Sequence, residues 1–297
     1  MKTKALKQLF LDSGFDLVGI AKPDFSKLKE KLTGNNNNPL IKGSVADRIR
    51  FDSVLDGAKT AIVVGLTYTK ESNVVDRNKL HFGNSSWGID YHQVLKEKLE
   101  LVCLQIKSLI PDFEYEICVD TSVLDDRFLA YSAGIGIYGK NSLLINPDLG
   151  SYFFIGSVIC NLDLNADSPL TSSCKGCNLC IKACPTGALN ESNYLDYKKC
   201  CSYITQTKEE LNEDQLSSLS TCIFGCDICA KVCPYNKDKN HVHNKEFLPS
   251  GIEVLSGEIN LTNKEFKEQF GHLSGAFVGK KVLNRNIKYI KDKYNIV

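Results

Sequence analysis

Hydrophobic and polar residues alternate along the first part of the chain in a way that predicts helices and strands in turn. The stretch TKALKQLFLDSG at 3–14 spaces its apolar residues as an amphipathic helix does, and it ends on a glycine. The β-branched run TAIVVGLTYT at 60–69 predicts a buried strand. Residues 91–110 carry an apolar stripe at helical spacing that Pro111 ends. These patterns predict a mixed α and β fold.

Further patterns extend this prediction to the cysteine-rich part of the chain and beyond it. Residues 114–122 predict a strand, 125–134 a helix that a glycine stops, and 142–160 a β-hairpin around an Asn-Pro-Asp turn. The polar stretch 34–43 predicts a loop, and 247–297 returns to helix. We therefore expect three segments, at 1–165, 166–245 and 246–297, the last a helical tail that packs back on the core.

The end of the chain is basic although the chain as a whole is balanced. From Phe277 to Val297 it holds Lys280, Lys281, Arg285, Lys288, Lys291 and Lys293 against Asp292. A solvated helix face is the simpler interpretation of such a run, and an edge that faces a polyanion is the alternative.

Composition narrows the class of protein. The net charge is +1, with 36 basic and 35 acidic residues, which argues against binding nucleic acid by bulk charge alone. The N-terminus lacks the apolar run and cleavage site of a signal peptide, and no stretch approaches the roughly 20 apolar residues of a membrane span. We expect a cytoplasmic protein with no membrane association.

The cysteines are the most informative residues of the chain. Ten of the thirteen fall between Cys174 and Cys233. In a cytosolic chain of this size, clustered thiols indicate metal rather than a disulfide framework. The remaining Cys103, Cys118 and Cys160 lie in apolar stretches and are interpreted as small buried hydrophobic residues.

Two arrays share the spacing of bacterial ferredoxins. The first is CKGCNLCIKACP at 174–185, four cysteines with gaps of two, two and three residues and then a proline. In such a run the fourth cysteine binds the other cluster. The second array, CDICAKVCP at 226–234, lacks its first cysteine, and KKCCSYIT offers Cys200 or Cys201 in its place.

This cross-ligation predicts two [4Fe–4S] clusters. Cluster 1 takes Cys174, Cys177, Cys180 and Cys233. Cluster 2 takes Cys184, Cys226, Cys229 and either Cys200 or Cys201. A zinc ribbon is the alternative, but zinc sites usually pair knuckles of two cysteines rather than using a run of four.

Several stretches together resemble the epoxyqueuosine reductase family. They are GFDLVGIA at 14–21, WGIDYH at 87–92, VDTSVLDDRFLAYSAGIGIYGKNSLLINPDLGSYFFIG at 119–156, CCSYIT at 200–205 and GCDICAKVCPYN at 225–236. The resemblance implies an α+β fold, in which an α/β cobalamin-binding domain of nitroreductase-like type precedes a ferredoxin-like domain with two clusters. It also implies reduction of epoxyqueuosine to queuosine in the wobble position of transfer RNA.

The resemblance also implies roles for individual residues. Asp120, in VDTSV, aligns with the proton donor and borders the cobalamin, and Cys200 rather than Cys201 aligns with the ligand of cluster 2. The implied cobalamin contacts are Gly139, Lys140, Asn141, Ser202, Cys226 and Asp227. Poor solvation of Asp120 is expected to raise its pKa and keep it protonated. Without the resemblance, Asp120 is more simply interpreted as a loop or helix-cap carboxylate.

Partners and alternatives complete the prediction. We expect a monomer that takes electrons from a flavodoxin or ferredoxin and binds cobalamin without a histidine ligand, the five histidines having ordinary roles. Many members of the family extend into a C-terminal repeat domain that helps to hold transfer RNA. Without such a domain, we expect the basic tail and the cluster domain to hold the transfer RNA. A cobalamin-dependent reductase of another small substrate, such as an organohalide, and an electron-transfer module are the alternatives.

Overall fold

The structure is a computed structural model that describes residues 2–23, 44, 47–68, 76, 78–172, 174, 176–190, 195–237 and 244–295. The predicted polar loop at 34–43 lies outside these ranges, and so do His241 and His243 of the stretch NHVHN. In the described part of the chain, no helix combines the length and the apolar character needed to cross a bilayer.

The first half of the chain builds a sheet with helices on both faces. Its elements are α1 (Thr3–Asp12), β1 (Leu17–Ala21), β2 (Thr60–Thr67), β3 (Leu80–Phe82), α2 (Tyr91–Leu109), β4 (Tyr115–Cys118), α3 (Asp126–Ser132), β5 (Ile137–Tyr138), β6 (Leu144–Ile145) and β7 (Phe153–Cys160). The predicted helices near 3–14, 91–110 and 125–134 and the strand at 60–69 are confirmed.

Four of these strands form an antiparallel sheet in the order β1-β2-β7-β4. Alternate residues of β2 belong to different cores because side chains along a strand point to opposite faces. Ile62 and Val64 pack with α1 and α2, whereas Ala61 and Val63 pack with α3. Both faces of the sheet are therefore covered by helices.

Two local predictions for this region need correction. Residues 142–160 do not form a hairpin, because β6 pairs with β5 whereas β7 pairs with β2 and β4. The Asn146 amide donates to the Ile135 carbonyl at 2.7 Å, which ties the turn to β5. The strand predicted at 114–122 ends at Cys118, because Asp120 has a left-handed backbone with φ of 51°.

The second half of the chain adds small elements around the cysteines and then the tail. They are α4 (Leu179–Ala183), α5 (Cys201–Gln206), α6 (Glu213–Ser217), β8 (Cys222–Phe224), α7 (Ile228–Lys231), β9 (Val254–Leu255), α8 (Asn263–Phe270) and α9 (Lys280–Tyr294). Thr262 and Glu265 form a capping box that starts α8.

A second sheet joins segments that are far apart in sequence. β3 lies between β8 and β9, so each of the three predicted segments contributes one strand. The core beneath it contains Phe82 and Trp87 from the first segment, Ile223 from the second and Leu283 from the tail. The cluster region is therefore fixed to the rest of the chain by a shared core.

Half of the basic residues in the tail have structural roles. The Arg285 guanidinium donates to the carbonyls of Ile204, Thr207 and Glu209. Lys280 and Lys293 likewise donate to main-chain carbonyls. Lys281 and Lys288 are exposed on α9 and leave a smaller basic surface than the sequence predicted.

Candidate cluster centres and active site

The thiols predicted for cluster 1 surround one cavity. Its volume is about 140 Å³, and all four cysteines line it together with Lys140, Asn141, Ile145, Pro234 and Tyr235. Cys233 comes from the second array, more than fifty residues after the others, so the fold brings the two arrays together as cross-ligation predicts. α4 and α7, which follow equivalent positions of the two arrays, contact one another.

The cavity fits a cluster better than a single zinc ion. Four thiolates around zinc lie about 2.3 Å from the metal and leave no free volume among them. In the described ranges, no three His, Cys, Asp or Glu side chains converge closely enough for a single ion, whereas these four thiols line a cavity. The chemistry of four soft donors around such a space is that of an iron–sulfur cubane.

The second thiol set also converges. Burial raises the pKa of Cys229 to about 12, and the thiols of Cys200 and Cys184 are close enough to add to this rise. Cys226 completes the set but also hydrogen-bonds to the Cys201 thiol. The fold therefore brings both Cys200 and Cys201 to this centre.

Two residues predicted to touch cobalamin lie instead at the wall of the cluster 1 cavity. Lys140 and Asn141 line it, and the Lys140 ammonium donates to the Asn178 amide oxygen at 2.6 Å. Gly139 precedes them in a crowded backbone, where an added Cβ would lie 2.5 Å from the Asn141 amide oxygen. This placement puts Lys140 and Asn141 beside the predicted ligands of cluster 1, and their contact with cobalamin stays a prediction.

Asp120 lies where β4 ends and meets the start of α2. The His92 Nε2 atom is 3.4 Å from Asp120 Oδ2, and its Nδ1 atom is 2.7 Å from Asp90 Oδ1. Asp90 also caps α2 by accepting the His92 N–H, which holds the ring between the two carboxylates. The Tyr91 hydroxyl gives Asp120 a further hydrogen bond.

The protonation of this group differs from the sequence prediction. The Asp120 side chain is 66% exposed, and the hydrogen bond from His92 holds the pKa of Asp120 below its ordinary value. Burial opposes the charge on His92, but hydrogen bonds to Asp120 and Asp90 raise its pKa to about 9. The expectation of a poorly solvated, protonated Asp120 is therefore wrong for the protein alone, and the proton is held on His92.

A second carboxyl group, that of Asp126, accepts a hydrogen bond from the backbone of Asp120. Asp126 Oδ2 accepts the Asp120 N–H at 2.8 Å, and Asp126 Oδ1 is buried without a hydrogen-bond partner. Burial and the charge of Asp120 raise the pKa of Asp126 to about 8. At neutral pH, this pair therefore consists of an ionised Asp120 and a neutral Asp126.

Stacked aromatic rings connect Asp120 with the second thiol set. His92 stacks on Tyr91 with centroids 4.0 Å apart, Tyr91 on Phe154 at 4.2 Å, and Phe154 on Tyr68 at 4.4 Å. Burial raises the pKa of Tyr68, and the charges of Asp227 and Cys229 add to it. The stack thus begins beside Asp120, and its other end lies within electrostatic reach of Cys229.

The remaining predicted contacts lie on the cluster side of the molecule. The Asp227 carboxylate accepts the Asn84 N–H at 3.1 Å, which ties the second array to the turn after β3. The Ser202 hydroxyl accepts from the Gln206 amide at 3.0 Å. Both residues adjoin the second thiol set in sequence, and no described contact joins either of them to Asp120.

Sequence reasoning missed the roles of His92 and Asp126. The sequence prediction gives His92 an ordinary role, as it does the other four histidines. The signal that could have found it is Asp90, a helix cap two residues before a histidine. Nothing local marks Asp126 among the three carboxylates at 120–126, because burial distinguishes it only in the fold.

Two convergent thiol sets beside a histidine–carboxylate pair define an iron–sulfur oxidoreductase. Residues 173–236 match the family model described as 4Fe-4S double cluster binding domain, and residues 48–121 match that described as Epoxyqueuosine reductase QueG, DUF1730. The epoxyqueuosine reductase of Staphylococcus aureus (strain NCTC 8325 / PS 47) is 34% identical over 96% of this chain and 80% of its own length. The chain belongs to the epoxyqueuosine reductase family.

Solved structures agree with this assignment. An epoxyqueuosine reductase with an epoxyqueuosine-modified tRNA-Tyr stem loop superimposes with a TM-score of 0.92 at 33% identity, covering 99% of this chain and 82% of that one. The Bacillus subtilis enzyme, with its catalytic aspartate loop swung out of the active site, gives 0.92 at 32% identity over 99% and 82%. A reductive dehalogenase described in terms of B12-dependent dehalogenation gives 0.50 at 14% over 99% and 36%, which shows a shared fold alone.

Proposed function

We propose that this protein reduces epoxyqueuosine to queuosine in the wobble position of transfer RNA. Removing the epoxide oxygen leaves an alkene and water, and it consumes two electrons and two protons. The observation that carries the proposal is the aromatic stack that runs from a proton-holding His92–Asp120 pair to Tyr68, which lies within electrostatic reach of the predicted cluster ligand Cys229. The relative with a bound epoxyqueuosine-modified stem loop supports the choice of substrate.

The site residues fit a cobalamin that has no histidine ligand. Both ring nitrogens of His92 face carboxylates, and the exposed Asp120 side chain lies at one end of the aromatic stack. In this proposal, the first segment is the cobalamin-binding domain, and Asp120, Tyr91, Ser202 and the Cys226–Asp227 backbone would contact the corrin. Bound cobalamin would supply a low-potential cobalt centre that delivers electrons to the epoxide.

The chain's own residues supply the proton. His92 carries a proton at neutral pH and is within hydrogen-bond reach of Asp120. Asp120 faces solvent and can pass that proton to the oxygen that leaves the epoxide. Asp90 holds the imidazole in place and favours its charged form. Asp120 is thus the proton donor, with His92 restoring its proton.

Electrons would enter at cluster 1. The exposed side chains of Leu179 and Val232 adjoin its ligands in sequence. Cys229, a predicted ligand of cluster 2, instead lies within electrostatic reach of Tyr68, which follows β2. Lys182 and Lys231 are exposed on α4 and α7. An acidic electron donor of flavodoxin or ferredoxin type suits this surface.

In this proposal, Cys200 is the fourth ligand of cluster 2.

The test is conversion of the modified nucleoside. Protein reconstituted anaerobically with iron, sulfide and cobalamin is incubated with a chemical reductant and epoxyqueuosine-containing transfer RNA, which is then digested and analysed by mass spectrometry. We expect epoxyqueuosine to lose one oxygen atom, and a strain without the gene to accumulate it. Absence of conversion by protein with both clusters and bound cobalamin would refute the proposal.

A further inference from the structure

We propose that Asp126 is a positioning residue that holds the proton donor in the active site and releases it when Asp126 becomes charged. The inference rests on the proposed role of Asp120. It assigns Asp126 no contact with substrate or cofactor, since the residue acts through the backbone of Asp120.

The backbone around Asp120 needs an external support. Its φ of 51° lies in the left-handed region, which is unfavourable for residues other than glycine. The Asp120 side chain is mostly exposed, so packing contributes little to holding it there. The Asp120 N–H donates to Asp126 Oδ2 at 2.8 Å, and this bond ties the strained residue to the first turn of α3.

The helix that carries Asp126 is itself firmly anchored. Asp125 caps α3 by accepting the Phe128 N–H at 2.9 Å. The same carboxylate pairs with Arg48, whose side chain is 6% exposed, at 2.8 Å. Asp126 therefore presents its acceptor from a fixed element to Asp120, whose side chain is mostly exposed although Val119 and Leu124 of the same loop are buried.

The surroundings of Asp126 favour its neutral form. Its Oδ1 atom is buried and has no hydrogen-bond partner, an arrangement that is costly for a charged carboxylate. Asp120 and Asp125 oppose a negative charge on it, and Arg127 favours one. Tyr91 of α2 and Cys118 of β4 are also within electrostatic reach, and neither is charged at neutral pH.

Ionisation of Asp126 would place two negative carboxylates on either side of one hydrogen bond. Because burial disfavours the charge as well, the pair can relieve both costs by moving the Asp120 loop away so that water reaches Asp126. The Bacillus subtilis relative, whose catalytic aspartate loop is swung out of the active site, shows that such a loop has a second position in this family.

Hydrogen exchange of the cluster-loaded protein tests the proposal without any assay of turnover. Asp126→Leu removes the acceptor at similar volume, Asp126→Asn keeps an acceptor that cannot ionise, and Glu116→Gln, at an exposed carboxylate on β4, is the control. At pH 7 we expect the amides of 119–124 to exchange about tenfold faster in Asp126→Leu than in wild type. Unchanged exchange in a folded Asp126→Leu protein would overturn the proposal.

A comparison of wild type with Asp126→Asn tests whether the negative charge on Asp126 releases the Asp120 loop. Between pH 7 and pH 9, the wild-type loop should lose protection relative to Asp126→Asn, after correction for the intrinsic exchange rate. Equal protection of the two proteins at pH 9 would overturn the release step, and this comparison stands even if Asp126→Leu does not fold.

Turnover then separates this inference from the proposed function. With epoxyqueuosine-containing transfer RNA, Asp126→Leu should lose about tenfold to a hundredfold in kcat with little change in KM, because the donor is misplaced rather than removed. The control Glu116→Gln should keep its kcat. If wild-type protein fails to turn over, the proposed function fails, whereas the exchange data still decide whether Asp126 holds the loop.

Discussion

The imidazole of His92 and the carboxylate of Asp120 lie 3.4 Å apart, measured from Nε2 to Oδ2, although they belong to different elements. Their contact keeps the proton on the histidine and the negative charge on the aspartate. The proposed proton donor is ionised at rest and therefore needs a nearby source of protons, which the fold supplies in direct contact.

The pH dependence of turnover follows from this pair. We expect wild-type kcat to fall as the pH rises through about 9, since His92 then loses the proton that restores Asp120. His92→Gln should be at least tenfold slower at pH 7 and should lack the fall near pH 9, keeping only the loss near pH 8 that ionisation of Asp126 causes. Steady-state rates from pH 6 to 10 check both, with His272→Gln as the control. A pH profile of kcat for His92→Gln that matches that of wild type would contradict proton transfer from His92 to Asp120.

Removal of the donor itself should separate chemistry from cofactor binding. Asp120→Asn preserves the size of the side chain and should lose on the order of 10² to 10⁴ in turnover. Iron content and cobalamin spectra should stay as in wild type, because no predicted cluster ligand is changed. Single-turnover assays and absorption spectra provide the measurements. Full activity of this variant would exclude Asp120 as the proton donor.

The fourth ligand of cluster 2 can be settled by two neighbouring substitutions. Cys200→Ser should lose about half of the bound iron, because one of two cubanes loses a ligand. Cys201→Ser should retain it, although its thiol contacts Cys226. Iron and sulfide analysis with paramagnetic resonance of the reduced protein distinguishes the two. The opposite pattern would assign Cys201 as the ligand.

Asp126 should affect stability in a pH-dependent way. Its pKa of about 8 in the folded protein lies above the value of about 3.9 in an unfolded chain, so the stability that it contributes is fully present below pH 4 and is lost as the pH rises to 8. Asp126→Asn removes this loss and should be more stable than wild type at pH 8, by on the order of 1–3 kcal/mol.

Urea unfolding at pH 5 and pH 8 measures this gain, which should be larger at the higher pH. Asp125→Asn is the control and should be less stable than wild type at both values, because it weakens the contact with Arg48. A gain in Asp126→Asn that does not grow with pH would mean that Asp126 is ionised in the folded protein.

The exposed basic residues of the tail should affect substrate binding rather than chemistry. Charge reversal of Lys281 and Lys288 should raise KM for transfer RNA several-fold and weaken its dependence on salt, with kcat unchanged. Lys264→Glu, at a side chain that is 85% exposed on α8, is the matched control. An unaltered KM in the double variant would remove the tail from the binding surface.

The sequence by itself determined the metal chemistry and most of the elements. Ligand spacing is readable in the sequence because the first three cysteines of an array bind one cluster within a short loop. The predicted ligands Cys174, Cys177, Cys180 and Cys233 line one cavity of the fold. Helices such as α2 were equally predictable, since their apolar stripe has a local period.

Tertiary structure decided the pairing of strands and the protonation of the site. β7 pairs with β2, almost a hundred residues away, and not with its neighbour β6, a choice that depends on burial of the whole sheet. The charges on His92, Asp120 and Asp126 depend on which groups lie within a few ångströms and on how much water reaches them. Neither quantity is a property of local sequence, because both arise only when distant segments pack together.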